Sequence, residues 1–509
     1  MITARASIRS SLAAVAVGVT VAACTASVPA ASTRSSTTSG PVAQAAELVS
    51  PTADMTVLDT TPGAGSAIAV SSLLFRHAPV VVVVAEGDPA GVATAAAVAP
   101  RVGAPVLVLP HTGREAVTRQ IARLSPSAIL AAGAAARQAV RGSAVPAFLL
   151  GTGTGALPAG LPPVVAPRPL AVTVLVDVTR DDAAAAATAR AAGARVVPVH
   201  GADPRADPAA IEALHAAPPK SVVAVGGGFG PVERLRARLA AAATGVQLPG
   251  GGQVMMPGRR LVCLYGHPGA RSLGVLGEQD VGGSVERAKQ TARAYEPYSD
   301  VPVVPAFEII TTIAEGGPGA DGDFSRESSV EALRPWVEAA GNAGLYVLLD
   351  LQPGRADLTG QAQRYEPLLS LPYVGLAVDP EWKLGPDQLP LRQIGGIDAA
   401  ELNRTSAWLA GLTAQHALPQ KLFVIHQFRL SMIRDEPALN TTQDEVSVLI
   451  HMDGQGSTAQ KDSTWRAVVT ARPSDIPLGW KNFYDEDHPM LTPEQTMSRQ
   501  PAPVMISYQ

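Results

Sequence analysis

Between residues 258 and 509, short continuous apolar runs alternate with segments that have helical periodicity. Runs without polar alternation predict strands buried on both faces, as in a parallel sheet covered by helices. Eight such strands in about 250 residues match a (β/α)8 barrel. The pattern therefore predicts a TIM-like barrel over residues 258–509, with an open α/β sheet as the alternative. The predicted strands are Leu261–Tyr265, Val301–Phe307, Leu345–Leu349, Val374–Val378, Lys421–Ile425, Val446–Ile450, Leu478–Asn482 and Pro503–Ser507.

A second α/β pattern precedes the barrel, and it is duplicated. Strands and helices alternate between residues 80 and 133, and the same order recurs between residues 172 and 226. Gly103 and Gly193, 90 residues apart, suit the left-handed position that ends a helix. The pattern predicts a duplicated parallel α/β repeat domain over residues 56–250, which ends at the Gly/Pro-rich segment Pro249–Pro257.

Particular residues of this domain resemble a known family. The first copy contains Ala85-Glu86-Gly87-Asp88-Pro89 and Gly103-Ala104-Pro105-Val106-Leu107-Val108-Leu109-Pro110, and the second keeps Ala224-Val225-Gly226-Gly227-Gly228. With them, residues 66–245 resemble the second type of bacterial cell wall-binding repeat, which implies contact with cell-wall polymer. An unrelated flavodoxin-like domain is the alternative, because Ala-rich βαβ sequence produces the same pattern.

The N-terminal residues have a basic start followed by an apolar run. Arg5 and Arg9 precede the apolar run Leu12–Ala23, and Cys24 follows directly. This resembles a bacterial lipoprotein signal peptide over residues 1–23, which implies that Cys24 is diacylated and anchors the chain to the extracytoplasmic face of the cell membrane. An uncleaved anchor and a simple secreted protein are the alternatives. Residues 24–55 are rich in Ser, Thr, Ala and Pro, and we expect a flexible tether there.

Composition argues against a nucleic-acid partner and against cysteine-based sites. The formal net charge is −4, so no basic excess exists to neutralise the phosphates of a nucleic acid. Besides Cys24 the chain has one cysteine, Cys263, which lies in an apolar run and suits a buried position. This leaves no thiolate metal site and, once Cys24 is lipidated, no intramolecular disulfide. We predict no cofactor.

Polar residues follow nearly every predicted barrel strand, and in such barrels the C-terminal strand ends carry the working residues. Carboxylates, imidazoles, amides and aromatics at one mouth suit carbohydrate, because aromatics pack on sugar faces and acids cleave glycosidic bonds. Helix capping, or a hydrogen-bonded core position, is the alternative for any one of them. The predicted catalytic residues are Glu381, Asp379, Glu308 and Asp350, and the predicted substrate-binding residues are His267, Gln352, Trp382, His426, Gln427, His451, Asp453, Tyr484 and Asp485.

The fourth predicted strand ends in a pair of acids. The segment Gly375-Leu376-Ala377-Val378-Asp379-Pro380-Glu381-Trp382 resembles the strand-four signature of barrel glycoside hydrolases related to chitinases, although Ala377 replaces that family's upstream aspartate. The resemblance implies that Glu381 is the general acid and that Asp379 controls its protonation. The alternative is that Pro380 fixes a turn and Glu381 caps a helix.

A metal centre is a further alternative for the mouth. Its ligands would come from Asp350, Asp379, His426, His451 and Asp453. No H-E-x-x-H motif is present, and we predict that the barrel holds no metal.

Together these features predict a lipid-anchored cell-envelope protein. Its α/β repeats would contact wall polymer, and its barrel would bind and hydrolyse glycan. A non-catalytic surface scaffold or glycan-binding lipoprotein is the alternative, because a barrel fold does not by itself imply catalysis.

Overall fold

The computed structural model describes residues 43–151 and 156–509, which form an α/β region followed by a barrel. The predicted signal peptide, Cys24 and the tether as far as residue 42 lie outside the described residues. None of the helices in the described ranges combines the length and the hydrophobicity needed to cross a lipid bilayer.

Short strands and Ala-rich helices alternate in the α/β region. Its strands are β1 (Gln44–Ala45), β2 (Glu47–Leu48), β3 (Met55–Leu58), β4 (Phe75–His77), β5 (Val80–Ala85), β6 (Val106–Leu109), β7 (Ala128–Ala132), β8 (Ala147–Leu150), β9 (Val164–Val165), β10 (Thr173–Asp177), β11 (Arg195–Val199) and β12 (Val222–Val225). Its helices are α1 (Ala64–Leu74), α2 (Pro89–Val102), α3 (Glu115–Leu124), α4 (Ala134–Ala139), α5 (Ala183–Ala191), α6 (Pro208–Ala216) and α7 (Val232–Ala243).

The α/β region contains two four-stranded parallel sheets, in the orders β6-β5-β7-β8 and β11-β10-β12-β3. Both therefore have the same arrangement of their first three strands, as the duplication predicts. The fourth strand of the second sheet is β3, which precedes the whole first sheet in the chain. The two halves are therefore interlocked, because the second sheet needs a strand from the N-terminal side of the first.

The predicted tether overlaps this folded region. Strand β1 pairs with β9, β2 pairs with β4, and Ala46 between them is buried. Residues 44–48 thus form backbone hydrogen bonds with the α/β region. Their composition places them in the predicted tether over residues 24–55.

Two glycines end helices as predicted, and both lie against prolines. Gly103 after α2 has φ 59°, and Gly193 after α5 has φ 71°. A Cβ on Gly103 would lie 2.2 Å from Pro167 Cδ, and one on Gly193 would lie 2.6 Å from Pro169 Cα. Both the left-handed backbone and the close approach of the connecting segment therefore require glycine.

The second region begins near Arg260. Its strands are β13 (Arg260–Gly266), β14 (Val303–Ala314), β15 (Ser325–Glu327), β16 (Tyr346–Leu351), β17 (Val374–Val378), β18 (Ile397–Asp398), β19 (Lys421–His426), β20 (Ile433–Arg434), β21 (Val446–Met452), β22 (Leu478–Asn482) and β23 (Met505–Tyr508). Its helices are α8 (Val281–Arg293), α9 (Val330–Asn342), α10 (Leu358–Gln363), α11 (Glu366–Leu369), α12 (Ala399–Gln415), α13 (Thr458–Ala471) and α14 (Pro493–Met497).

Eight parallel strands close into a barrel, in the order β13-β14-β16-β17-β19-β21-β22-β23. Strand β23 pairs back onto β13, with Leu261 opposite Met505. Small and branched side chains such as Cys263 and Val424 fill the interior, and alternate residues pack outward against the helices. Closure confirms the predicted TIM-like barrel and excludes the open sheet.

Strand β14 departs from the regular pattern. It continues past the barrel to Ala314, with a register shift between Ile310 and Thr312, and pairs there with the antiparallel strand β15. This hairpin carries Ile313 and Ala314 to the rim at the C-terminal ends of the strands.

A charged cluster joins the α/β region to the barrel. Asp444, in the connection between β19 and β21, accepts hydrogen bonds from Arg234 at 2.6 Å and from Arg238 at 2.8 Å. Its backbone carbonyl accepts a bond from Arg205 at 3.0 Å. All three arginines belong to the α/β region, so this acid fixes one region against the other.

Candidate active site at the barrel mouth

A cavity of about 530 Å³ opens where the barrel strands end. Acids, a lysine and aromatic rings share its wall, which is the side-chain mixture expected of a polar-substrate site in a barrel. Its polar and aromatic lining residues include Tyr265, Gln352, Asp379, Glu381, Trp382, Phe428, Arg429, Asp453, Lys481, Phe483 and Glu486.

Five residues predicted from the sequence line this cavity: Gln352, Asp379, Glu381, Trp382 and Asp453. Four others, Glu308, Asp350, His426 and His451, are fully buried in the barrel. Direct contact between sugar and Glu308 or Asp350 does not fit this burial. Both were predicted to be catalytic because acids at strand ends point to chemistry, but they support the mouth from within.

The remaining predicted residues lie elsewhere. His267 lies in a turn, where its carbonyl accepts a 3.1 Å hydrogen bond from Ala270 N–H, and its Nδ1 is 2.9 Å from the carbonyl of Ile310. The buried Gln427 donates a 2.8 Å hydrogen bond to Glu436. Tyr484 and Asp485 are exposed to solvent and do not line the cavity, although Phe483 and Glu486 on either side of them do.

His426 is held between two carboxylates. Its Nε2 lies 3.0 Å from Glu308 Oε1 and its Nδ1 lies 3.0 Å from Asp453 Oδ2. An ionised carboxylate only accepts hydrogen bonds, so both ring nitrogens carry protons when both acids are charged. Burial alone lowers the pKa of His426, but Glu308 and Asp453 together outweigh it and raise that pKa well above its usual value.

A tyrosine and a lysine complete the barrel interior. Tyr265 donates a 3.0 Å hydrogen bond to Asp350, and Lys481 Nζ lies 3.5 Å from the centre of the Tyr265 ring. Burial and the nearby Glu308 raise the pKa of Asp350 to about 6, against the opposing effects of His426 and Lys481. Asp350 is therefore protonated over much of the range below neutral pH.

Glu381 is the acid whose protonation suits catalysis near neutral pH. Burial first, then the neighbouring Asp453, raise the pKa of Glu381 to about 7, while Lys481 and His426 lower it. Asp379 accepts a 3.2 Å hydrogen bond from the backbone N–H of Glu381. Its own pKa is raised well above the usual value by burial and by Glu381. Two acids in this segment thus favour their neutral forms.

The protonation state of His451 differs from that of the neighbouring His426. Burial lowers its pKa well below the usual value, and His426 and Lys481 lower it further. Its Nε2 lies 2.7 Å from Ser507 Oγ. Room for the ring comes from Gly479, where a Cβ would lie 2.1 Å from His451 Nδ1. His451 is therefore a neutral packing and hydrogen-bonding residue.

At the strand ends of the barrel, one group of ligand-type residues is close enough together to approach a metal ion. Asp379, His426 and Asp453 each have a ligand-type atom within 4.8 Å of the others. Both nitrogens of His426 already bond a carboxylate, however, so coordination by this ring would break one of those bonds. The set fits a network of ion pairs better than a metal centre.

The chain was compared with protein-family models, curated proteins and solved structures. None of them matches. The resemblances to cell wall-binding repeats and to chitinase-related barrels therefore remain predictions from the sequence, and the barrel site rests on its own geometry.

Several residues of the wall were not predicted as site residues. Phe428 directly follows the predicted pair His426-Gln427, and Phe483 directly follows the predicted strand Leu478–Asn482. Extending each strand end by one or two residues would have found them. Nothing local distinguishes Arg429 or Glu486 from an ordinary exposed loop residue.

A cavity of about 500 Å³ also exists in the α/β region, between its two halves. Its wall consists mainly of Ala, Val and Pro side chains. Of its acids, Asp88 caps α2 by accepting a 2.8 Å bond from Gly91 N–H, and Asp177 accepts bonds from Thr179. Asp88 and Asp177 are thus engaged by the protein itself, and the third acid of the wall, Asp181, is exposed to solvent, so this largely apolar cavity differs from the acid-rich barrel mouth.

Proposed function

We propose that the barrel hydrolyses glycan, with Glu381 as general acid and Asp453 as the second carboxylate. The observation that carries the proposal is that Glu381, with its pKa near 7, shares one cavity with Asp453 and with aromatic rings. Glycoside hydrolysis needs a protonated acid and an ionised carboxylate on either side of the bond, and apolar rings that pack on the sugar.

In this mechanism Glu381 donates its proton to the glycosidic oxygen as the bond between that oxygen and the anomeric carbon breaks. The positive charge that develops on the sugar is stabilised by the carboxylate of Asp453. A water molecule then adds to the anomeric carbon as one of its protons passes to the Glu381 carboxylate, which restores the acid. Support for Asp453 comes from His426, whose ring bonds its Oδ2, and the other oxygen, Oδ1, has no hydrogen-bond partner among the described residues.

We further propose the cellular setting that the sequence predicts. The chain would be anchored through a lipidated Cys24 to the outer face of the cell membrane, and the α/β repeats would contact wall polymer. The Asp444 cluster supports one part of this arrangement, because it would hold the barrel at a fixed position beside the repeats.

The test is hydrolysis of wall-derived glycans by the wild-type chain and by Glu381→Gln. We expect new reducing ends from the wild type and a loss of about 10²–10⁴-fold in the variant, which is the range for removal of a general acid. The exposed Glu494, on α14, gives the control Glu494→Gln, which should keep wild-type activity. Binding without hydrolysis by the wild type would favour the non-catalytic module, and full activity in Glu381→Gln would exclude this mechanism.

A further inference from the structure

The cavity at the barrel mouth continues into a second cavity of about 370 Å³. The two share Glu381, Trp382 and Arg429 as lining residues. The proposed general acid therefore stands at the junction of two spaces. A glycan chain whose cleaved bond lies at Glu381 would extend into both of them.

The outer wall of the second cavity is the segment 391–394, in the connection between β17 and β18. Backbone contacts between Gly395 and Glu381 fix the position of this segment. The N–H of Gly395 donates a 2.7 Å hydrogen bond to the carbonyl of Glu381, and a Cβ on Gly395 would lie 2.6 Å from that carbonyl oxygen. The segment therefore packs directly against the backbone of Glu381, and a side chain at position 395 has no room.

Two arginines line this second cavity, Arg392 and Arg429. Within residues 43–151 and 156–509, neither guanidinium has a hydrogen-bond or ion-pair partner. By contrast, Arg434 on the nearby β20 bonds Asp398 at 2.6 Å. The only carboxyl group in the wall of the second cavity is that of Glu381.

This arrangement is suited to an anion. A guanidinium presents a planar set of donors that matches a carboxylate or phosphate bidentately. Resting on the function proposed above, we infer that the second cavity binds an acidic sugar unit of the substrate. The barrel would thus select glycans that carry carboxylate or phosphate groups next to the bond it cleaves.

The test uses the whole chain carrying Glu381→Gln, so that a bound oligosaccharide is not consumed. Calorimetry would compare hexagalacturonate with its fully methyl-esterified form, which has the same sugar backbone but no negative charge. A second arm would compare phosphorylated maltohexaose with maltohexaose, and so distinguish phosphate from carboxylate as the preferred anion. We expect the acidic form of at least one pair to bind about tenfold more tightly at low salt, with the preference declining as salt rises.

Replacing both arginines, as Arg392→Gln with Arg429→Gln, should lower the affinity for the acidic forms to that for the neutral forms and so abolish the preference. The exposed Arg466 on α13 supplies the matched control Arg466→Gln, which should keep the preference. Because both arginines are exposed, we expect the double variant to keep the wild-type circular dichroism spectrum. Salt dependence of the wild-type preference checks the inference without any variant.

Three results would overturn the inference: equal affinity for charged and neutral forms, a preference that survives the double substitution, or no binding of either form. The proposed function fails separately. Hydrolysis of neutral glycan without any charge preference would refute only the acidic subsite, whereas a charge preference without hydrolysis by the wild type would refute only the hydrolase.

Discussion

At the scale of single residues, the barrel interior depends on a cation held between two anions. Glu308, His426 and Asp453 are buried together, with both links at 3.0 Å. Removing one member of a buried ion pair leaves an uncompensated charge, which costs about 3–5 kcal/mol. The imidazolium therefore stabilises the fold and also orients Asp453.

We predict that His426→Gln lowers the free energy of unfolding by about 3–5 kcal/mol, because Glu308 and Asp453 then lack their shared cation. Urea denaturation of the whole chain measures the change. Adding Glu308→Gln to this variant should restore part of the loss. The exposed His416→Gln is the control, expected to change stability by less than about 0.5 kcal/mol. Equal stability of His426→Gln and the control would contradict the ion-pair network.

Part of the site was predictable from local sequence. Asp379, Glu381 and Trp382 lie within four consecutive positions after one apolar strand, so a local motif identifies them. The pairing of His426 with Glu308 joins residues 118 positions apart. It depends on how the barrel closes, and no spacing rule in the sequence specifies which strand-end residues turn inward.

At the scale of elements, the strands were predicted well because both of their faces are buried. All eight predicted barrel runs coincide with strands of the barrel, and their bounds agree within two residues except at the end of β14, which continues seven residues past the predicted Phe307. Strand β3 was missed as part of the second sheet, since its pairing partner β12 is more than 160 positions away in the chain. The sequence did not predict the β14–β15 hairpin, because the Gly-rich residues 315–324 between the two strands are typical of an open loop.

Gly103 offers a test of one helix end. We predict that Gly103→Ala destabilises the chain more than Gly113→Ala, although both glycines have left-handed backbones, with φ 59° and 68°. The shared conformational cost is about 1–2 kcal/mol. Only at Gly103 does the new Cβ meet another group, Pro167, while Gly113 has open space around it. Denaturant titration of the two variants should differ by about 1–3 kcal/mol, the usual cost of overpacking. Equal losses would show that α2 does not pack on Pro167 as described.

At the scale of the whole molecule, Asp444 links the α/β region to the barrel. Burial, the largest single effect, raises the pKa of Asp444, but hydrogen bonds from Arg234 and Arg238 outweigh it and lower that pKa. A carboxyl group with a lowered folded-state pKa adds stability above its unfolded-state pKa, near 4, and this contribution is lost as the pH falls below that value.

We therefore predict that Asp444→Asn lowers the free energy of unfolding at pH 7, and that the difference from wild type shrinks as the pH falls below about 4. Thermal or urea unfolding over that pH range measures it. The matched control is Asp54→Asn, which removes a surface ion pair with Arg236 at 3.0 Å. Its effect should not exceed about 1 kcal/mol. A pH-independent difference, or equal effects of the two variants, would contradict the role of Asp444.

The proposed mechanism depends on burial and Asp453 raising the pKa of Glu381 to about 7. An NMR titration of the glutamate carboxyl carbons in the whole chain measures this pKa, with the Glu381 signal assigned by its absence in Glu381→Gln. We expect that signal to titrate near pH 7, and to titrate lower in Asp453→Asn, where the neighbouring negative charge is gone. If the Glu381 signal titrates near pH 4.3 in both proteins, which is about the value of an unperturbed glutamate, the raised pKa of Glu381 is contradicted.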